Sequence, residues 1–329
     1  MKQGAVLSAF FYCIYTNKLF EELRKQRIGC CIGSQYVGIL GYADDLFLLC
    51  PTYDGLQHML RICERYAAVH NLSFSTNTNP EKSKTKCMAF LLKERNLSCL
   101  TLCNNKLPWV CSAKHLGTKL ENKLNHILTQ DTKEKRAQYI QRNNELCQEF
   151  SFAHWSTKVK INNIYNTHFT GSVLWDLLGT NVNMVYNTWN VSIRKMLRLD
   201  RATHRHFIEP LSKTRHLKVS LLKRFITFAD KLEASTKSPV KHLFEKIKND
   251  CRSITGRNLR GILLLCGMDR LCKPAPTDVL KLTYKQIDAD NHWKLNLLEE
   301  LIHERDLKEY QLGWKHSEIS ECIKELCIS

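Results

Sequence analysis

The sequence has no apolar run long enough to cross a membrane. The run from Ala5 to Tyr15 covers about eleven residues, whereas a membrane-spanning helix needs about 20. Lys2 precedes it as in a signal peptide, but no A-x-A-like cleavage site follows and the run continues into an amphipathic helix. We therefore expect a buried helix, and an intracellular protein of the cytoplasm or nucleus with no membrane partner.

A dense cysteine framework is also missing. The 15 cysteines are odd in number and scattered over 329 residues, which is typical of a reducing compartment and not of a secreted disulfide scaffold. A tetrahedral zinc site needs four ligands, which could be supplied by Cys99, Cys103, Cys111 and His115. Their spacing fits no common zinc finger and they lie in a strand-like segment, so we expect buried free thiols, with zinc as the alternative.

Acidic residues are few relative to basic ones. The chain has 49 Lys and Arg against 32 Asp and Glu, a formal net charge of +17. This excess indicates a polyanionic partner, nucleic acid in preference to an anionic membrane, although a merely solvated surface has the same composition. Internal repeats and long low-complexity tracts are absent, and the 43% hydrophobic content indicates a folded protein.

Apolar periodicity predicts a sheet covered by helices in the first third of the chain. The predicted elements are a helix over 5–26 with a buried apolar first half, a hairpin over 35–50, an amphipathic helix over 53–71 that packs on it, a strand over 86–91, and a second hairpin with strands at 98–103 and 106–111. The predicted fold class is therefore α+β.

From Leu120 onward the chain is predicted to be mostly helical. Candidate helices lie at 120–149, 157–178, 183–199, 217–234, 239–250 and 291–308. Proline interrupts helices, so we expect breaks between them at Pro210, Pro239, Pro274 and Pro276.

Two adjacent carboxylates, Asp44 and Asp45, lie between the apolar runs 36–40 and 46–50. At the turn of a hairpin both can approach one hard cation, and oxygen ligands suit Mg²⁺, which shares its coordination sphere with substrate phosphates. The alternative is an ordinary surface turn, because Asp is a common turn residue.

Several segments, in order along the chain, resemble reverse transcriptases. Tyr42-Ala43-Asp44-Asp45 between apolar strands resembles the catalytic palm motif of that family. Residues 2–8 resemble its "RQGGVLSP" helix start, with Ala5 and Ala9 in the usual Gly and Pro positions. Residues 71–74 and 79–88 resemble the next palm element, with its lysine at Lys84. His115-Leu116-Gly117 resembles the closing "YLG" signature. Residues 171–177, 189–190 and 193–197 resemble the helices after the palm in non-LTR (LINE-like) retrotransposon enzymes.

The resemblance implies an RNA-directed DNA polymerase that binds an RNA template and a DNA primer, or their hybrid, together with a dNTP. A primer 3′-hydroxyl attacks the nucleotide α-phosphate, and two Mg²⁺ ions stabilise the attacking and leaving oxygens. By resemblance, Asp44 and Asp45 are the catalytic metal ligands. Lys84 assists the pyrophosphate leaving group, and Gln3, Gly4 and Tyr42 lie near the template and the incoming nucleotide.

The resemblance also implies a division into a partial palm over 1–118, a helical thumb-like region over 119–200, and a helical region of unassigned role over 201–329. The family's further aspartate and its fingers precede the helix at which this chain begins. We therefore expect a truncated element copy or an incomplete gene model that does not polymerise DNA by itself. Two alternatives remain: a non-catalytic nucleic-acid-binding protein that keeps the palm as a scaffold, and a group II intron maturase-like protein.

Basic residues are concentrated between 158 and 224, which suits thumb helices that follow a phosphate backbone, or else simply solvated helix faces. These residues are Lys158, Lys160, Arg194, Lys195, Arg198, Arg201, Arg205, Arg215, Lys218, Lys223 and Arg224. Tyr165, Phe169 and Phe207 are interspersed aromatics for base stacking. Trp175 and Trp189 are expected to be ordinary core residues.

Overall fold

The computed structural model describes residues 8–77, 79, 82–90, 97–123, 127–201, 203 and 205–265. They divide into two compact units. The described residues within 1–114, 120–127 and 235–243 form the first, and those within 115–119, 128–234 and 244–265 form the second. Helices combined with small antiparallel sheets confirm the α+β class predicted from the sequence.

The first unit consists of two helices and three short hairpins. Its elements are α1 (Ser8–Gln26), β1 (Cys31–Ile32), β2 (Gln35–Tyr36), β3 (Ile39–Tyr42), β4 (Asp45–Leu48), α2 (Tyr53–Val69), β5 (Thr101–Leu102) and β6 (Asn105–Lys106). Each hairpin pairs neighbouring strands in antiparallel register. Strands β7 (Ser112–His115) and β8 (Thr118–Glu121) lie where the chain passes from the first unit into the second.

Helix α2 organises the core of the first unit, as the periodicity of 53–71 predicts. Thr52 caps its start by accepting a hydrogen bond from the backbone N of Gly55 at 3.2 Å. The buried face of α2 packs against apolar residues of α1 and of the β3–β4 hairpin. That core contains Leu19, Leu23, Ile39, Met59, Ile62, Cys63 and Tyr66.

The first half of α1 is not buried, contrary to prediction. Phe10, Phe11, Ile14 and Tyr15 have 41% to 61% of their surface exposed, whereas Leu19 and Leu23 in the second half are fully buried. An apolar run therefore predicted the helix correctly but not what packs on it. Within the described part of the chain, no helix is both long enough and apolar enough to cross a membrane.

The two later β elements are shorter than predicted. Over the described part of 86–91 the structure has only an isolated bridge, between Cys87 and Trp109, and not a strand. The second hairpin is confirmed, but β5 and β6 have two residues each. Its turn lies at Cys103 and Asn104, whose φ angles of 51° and 59° suit a tight two-residue loop.

The second unit is almost entirely helical. Its elements are α3 (Thr129–Glu149), α4 (Trp155–Ile161), a π-helical turn (Asn162–Asn166), a 3₁₀ turn (Ser172–Leu174), α5 (Thr180–Met196), a second 3₁₀ turn (Arg205–Phe207), α6 (Ile208–Ser212), α7 (Leu217–Glu233) and α9 (Ile254–Leu265). Helix α8 (Ser238–Ile247) runs from the last segment of the first unit into the second.

Three of the helix predictions need correction. The helix predicted from 120 begins at Thr129, because 118–121 is strand β8. The single helix predicted over 157–178 ends at Ile161 and continues as irregular turns. Pro210 and Pro239 lie inside α6 and α8, near their first turns where proline is tolerated, and not between helices. The predicted helix 291–308, Pro274 and Pro276 lie outside the described residues.

The core of the second unit is built around Trp175, which is fully buried, as is Trp189. Both were predicted to be core residues. Gly171, four residues before Trp175, has a φ of 79°, and a Cβ at this position would lie 2.4 Å from Oγ1 of Thr118. Only glycine suits both the backbone angle and the close approach.

Candidate functional site

The predicted acidic turn is the tip of the β3–β4 hairpin. Tyr42 pairs with Asp45, which leaves Ala43 and Asp44 as a two-residue loop. Ile39 and its partner Leu48 belong to the inward side of the hairpin, against the core of the first unit. Alternation along the strands places the Tyr42–Asp45 pair on the opposite, outward side.

Helix α1 lies directly against the hairpin below this turn. A Cβ at Gly41 would lie 2.3 Å from Cζ of Phe20, so the close contact depends on the missing side chain. Leu19 and Leu23 bury the same side of α1 in the core formed with α2. The hairpin that carries the acidic turn is therefore packed against α1.

The two carboxylates are exposed and have different surroundings. Burial and then the negative charge of Asp44 raise the pKa of Tyr12 on α1, so Asp44 lies near that helix. Asp45 lies beside Tyr42, whose side chain is 66% exposed. Neither carboxylate forms an ion pair with any residue that the structure describes.

The turn fits Mg²⁺ in the type of its ligands but not in their number. Carboxylate oxygens suit this cation, and two Mg²⁺ ions at one site need several of them. Among the described residues, no group of three or more His, Cys, Asp or Glu side chains is arranged to hold a metal ion. Asp44 and Asp45 are therefore at most part of a two-metal site.

The alternative zinc group is not assembled in the described part of the chain either. Cys99, Cys103 and Cys111 are free and exposed, so the default expectation of buried thiols is also wrong for them. Only Cys63 and Cys87 are buried among the described cysteines, and burial raises the pKa of Cys63 to about 12 and that of Cys87 to about 11. Such thiols remain protonated and inert at neutral pH.

The other predicted site residues are less well placed or cannot be located. Gln3 and Gly4 lie outside the described residues. Lys84 is exposed at a bend and forms no ion pair within the described ranges. Its neighbour Thr85 is held by a 3.1 Å hydrogen bond from its backbone N to the carbonyl oxygen of Ser75. Among the described residues, no hydrogen bond or ion pair joins Lys84 to the acidic turn.

The His115-Leu116-Gly117 segment forms the turn between β7 and β8. Leu116 and Gly117 have φ angles of 47° and 78°. Positive φ at both central positions is the requirement of a type I′ turn, which explains the glycine directly.

The predicted basic surface of the second unit is only partly available. Lys158 is buried and donates to the carbonyl of Ser151 at 3.2 Å. Arg194 donates to the carbonyl of Thr203 at 3.1 Å and Arg224 to that of Thr167 at 2.9 Å, and burial lowers the pKa of both. These three cations stabilise the fold. The exposed ones are Lys160, Lys195, Arg198, Arg201, Arg205, Arg215 and Lys223, with Lys218 half-buried.

The aromatics proposed for base stacking also differ in their exposure. Phe169 is buried between Tyr139 and Trp175, with ring centroids 5.6 and 5.5 Å away, so it is not free to stack on a base. Tyr165 is 68% exposed and remains suited to that role, and Phe207 is half-buried.

An acidic hairpin turn on a strongly basic chain is typical of proteins that handle nucleotides and nucleic acids. Residues 1–156 match the family model described as reverse transcriptase (RNA-dependent DNA polymerase). The matched segment is slightly less than half of the chain and includes the acidic turn, Lys84 and the whole of α3. No curated protein matches the chain.

Replacing Ala43 by Gly is expected to stabilise the first unit by about 0.5–1 kcal/mol. Ala43 has a φ of 51°, and the left-handed conformation costs a residue with a Cβ about 1–2 kcal/mol. The greater freedom of Gly in the unfolded chain offsets about 0.4–1 kcal/mol of this gain. Urea denaturation measures the difference. The matched control is Ala68→Gly on the exposed side of α2, where the same change costs about 1 kcal/mol; equal signs for both would contradict the strain at Ala43.

Proposed function

We propose that the chain is a reverse transcriptase fragment of the non-LTR (LINE-like) retrotransposon type, which binds an RNA–DNA hybrid and retains only part of a two-Mg²⁺ nucleotidyl-transfer site. In this proposal residues 1–118 are the partial palm, with thumb-like helices over 119–200 and a further helical region over 201–329. The observation that carries the proposal is the family match over residues 1–156, with the Tyr42–Asp45 motif at a hairpin tip inside it.

Incomplete ligation is the reason to expect little polymerisation by the chain alone. The turn offers Asp44 and Asp45, and the described residues add no third ligand to them. A site that loses about 4 kcal/mol of transition-state stabilisation by metals works about a thousandfold more slowly. We therefore expect the chain, at a concentration where a complete polymerase is detected easily, to extend an annealed primer with Mg²⁺ and dNTP too slowly for the product to rise above the enzyme-free background.

Primer extension tests this directly when wild type is compared with two variants. Asp44→Ala removes a proposed metal ligand, and Asp54→Ala removes an exposed carboxylate in the first turn of α2 as a control. Extension that Asp44→Ala abolishes and Asp54→Ala preserves would overturn the proposed inactivity and leave a working polymerase. Background-level signal in all three agrees with the proposal.

Nucleic-acid binding without catalysis is the second candidate function, favoured by the exposed cations of the second unit. Basic helices that contact a phosphate backbone release counterions, so affinity falls steeply as salt rises. Titration of the full chain with a labelled RNA–DNA hybrid at several KCl concentrations measures this slope. A salt-independent affinity, or no binding, would exclude both the hybrid-binding role and the scaffold alternative.

A further inference from the structure

Helices α3 and α5 enclose a groove of about 280 Å³ in the second unit. It is lined by Arg136, Ile140, Asn143, Asn144, Cys147, Asn187, Thr188, Val191, Ser192 and Lys195. These positions repeat at helical spacing, so one face of each helix borders the groove. The groove lies wholly within the second unit.

Two hydrogen bonds show how the helices run beside the groove. Arg136 Nε donates to Oγ1 of Thr188 at 2.7 Å, and Lys195 Nζ donates to Oδ1 of Asn144 at 2.8 Å. Residue numbers rise together along both helices, so α3 and α5 are parallel. Arg136 and Asn144 are eight positions apart, about 12 Å along α3, which is the length of three to four stacked nucleotides at about 3.4 Å each on a strand that lies along the surface of the groove.

The groove has a positive charge that its own contacts do not neutralise. Its lining contains the cations Arg136 and Lys195 and no Asp or Glu. Both cations bind neutral oxygens, and neither forms an ion pair with a described residue. Uncompensated cations at both ends of a groove favour a ligand with repeated negative charge.

Between the cations the lining is rich in groups that both donate and accept hydrogen bonds. Asn143, Thr188 and Ser192 are largely buried and form the inner wall, while Asn187 is exposed. Asn143 Nδ2 already donates to the carbonyl of Tyr139 at 2.9 Å, and the Thr188 hydroxyl donates to that of Met184 at 2.7 Å. The exposed amides of Asn144 and Asn187 are therefore the neutral polar groups best placed to reach a ligand. Amides and hydroxyls of this kind suit the edges of bases and sugars better than a simple polyanion does.

We propose that the groove between α3 and α5 binds single-stranded nucleic acid, with Arg136 and Lys195 on phosphates and the exposed amides of Asn144 and Asn187 on a base or sugar. This deepens the proposed function and rests on it. A groove of about 280 Å³ is too small to hold a duplex, so only a single strand can lie along it.

Fluorescence anisotropy of the full chain with labelled 12-nucleotide oligo(U) and oligo(dT) tests the proposal. The double variant Arg136→Gln, Lys195→Gln is compared with Arg142→Gln, Lys231→Gln, which removes the same charge from exposed positions outside the groove. We expect the groove variant to lose at least about tenfold in affinity and its salt slope to fall by about 1.4, or 0.7 per lost phosphate contact. The control variant should change less than about twofold.

A second pair of variants keeps the test valid if the first pair weakens the fold. Val191→Glu places a negative charge at the rim of the groove, where the native side chain is 61% exposed; Leu264→Glu makes the same kind of change on α9 at equal exposure. Only Val191→Glu should reduce binding. Equal losses in groove and control variants, or displacement by polyglutamate as effective as by unlabelled oligo(U), overturn the proposal in favour of diffuse attraction.

The same measurements separate this inference from the proposed function. Hybrid binding by wild type that survives Val191→Glu, with single-strand binding lost, supports both. Wild type that binds the RNA–DNA hybrid but neither single strand overturns the groove proposal alone. Failure to bind any of the three nucleic acids overturns both.

Discussion

Replacing Asp131 by Ala is expected to lower the free energy of unfolding by about 3–5 kcal/mol. The carboxylate is 2% exposed and has three partners. Its Oδ1 accepts from the backbone N of Lys119 at 2.9 Å, and its Oδ2 accepts from Nε1 of Trp175 at 2.8 Å and from Nζ of Lys135 at 2.9 Å. Its removal leaves the Lys135 ammonium with the neutral carbonyl of Thr170 in place of a counter-charge. It also leaves the indole N–H of Trp175 and the backbone N–H of Lys119 without this acceptor, which is the costly way to break a buried pair.

Glu134 on the same helix is the matched control. It pairs with Nζ of Lys119, but its side chain is 42% exposed and that of the lysine 28%. Exposed pairs contribute about 0–1 kcal/mol, so Glu134→Ala should cost less than about 1 kcal/mol. Urea denaturation followed by tryptophan fluorescence compares the two, because Trp175 itself reports on the site. Equal costs for both variants would show that burial does not decide the effect.

The elements predicted well are those whose sequence pattern matches their surroundings. Apolar residues of α2 recur at helical spacing, and the same residues pack on α1 and on the β3–β4 hairpin. That hairpin was predicted because two apolar strands flank a short polar turn. In both cases a local pattern and a nearby partner in the chain favour one structure, so no distant contact was needed to decide it.

The burial of α1 could not be predicted in the same way. An apolar run favours a helix with a buried face, but burial depends on which element packs there. Leu19 and Leu23 meet α2 and the hairpin, whereas Phe10, Phe11 and Ile14 are exposed. Sequence composition reports the tendency of a side chain to leave water, and only tertiary contacts decide whether it does.

The failed helix at 157–178 has a local cause that the apolar pattern hides. Asn162, Asn163 and Asn166 are poor helix formers because their side chains compete for backbone hydrogen bonds. The regular helix gives way there to a π-helical turn. Gly171 then has a left-handed φ, after which the chain turns into the buried Trp175.

The position of the acidic turn at a hairpin tip was predictable, and its environment was not. Asp44 and Asp45 could be identified from their position between apolar strands, and the family match includes them. Which cations are free to bind phosphate could not, because Arg194 and Arg224 differ from exposed arginines only in their tertiary contacts. Arg136 and Asn144 lie outside the basic segment 158–224, and their only signal in the sequence is a shared face on a predicted helix.

Asn258→Leu is expected to destabilise the second unit by about 2–4 kcal/mol. The side chain is fully buried in α9. Its Nδ2 donates to the carbonyl of Trp175 at 2.8 Å and its Oδ1 accepts from the backbone N of Leu177 at 3.0 Å. Leucine has a similar volume, so the variant leaves little cavity. The backbone N–H of Leu177 and the carbonyl of Trp175 lose their hydrogen-bond partners, and each loss costs about 1–3 kcal/mol.

Arg257, the preceding residue, provides a contrast at the same loop. It forms a 3.1 Å ion pair with Asp176, and both side chains are about 40% exposed. Arg257→Ala should therefore cost less than about 1 kcal/mol, although it removes a charge pair that looks stronger than two neutral hydrogen bonds. Urea denaturation of the two variants ranks them. A larger loss for Arg257→Ala would mean that charge, and not the burial of the Trp175–Leu177 backbone, attaches α9 to this loop.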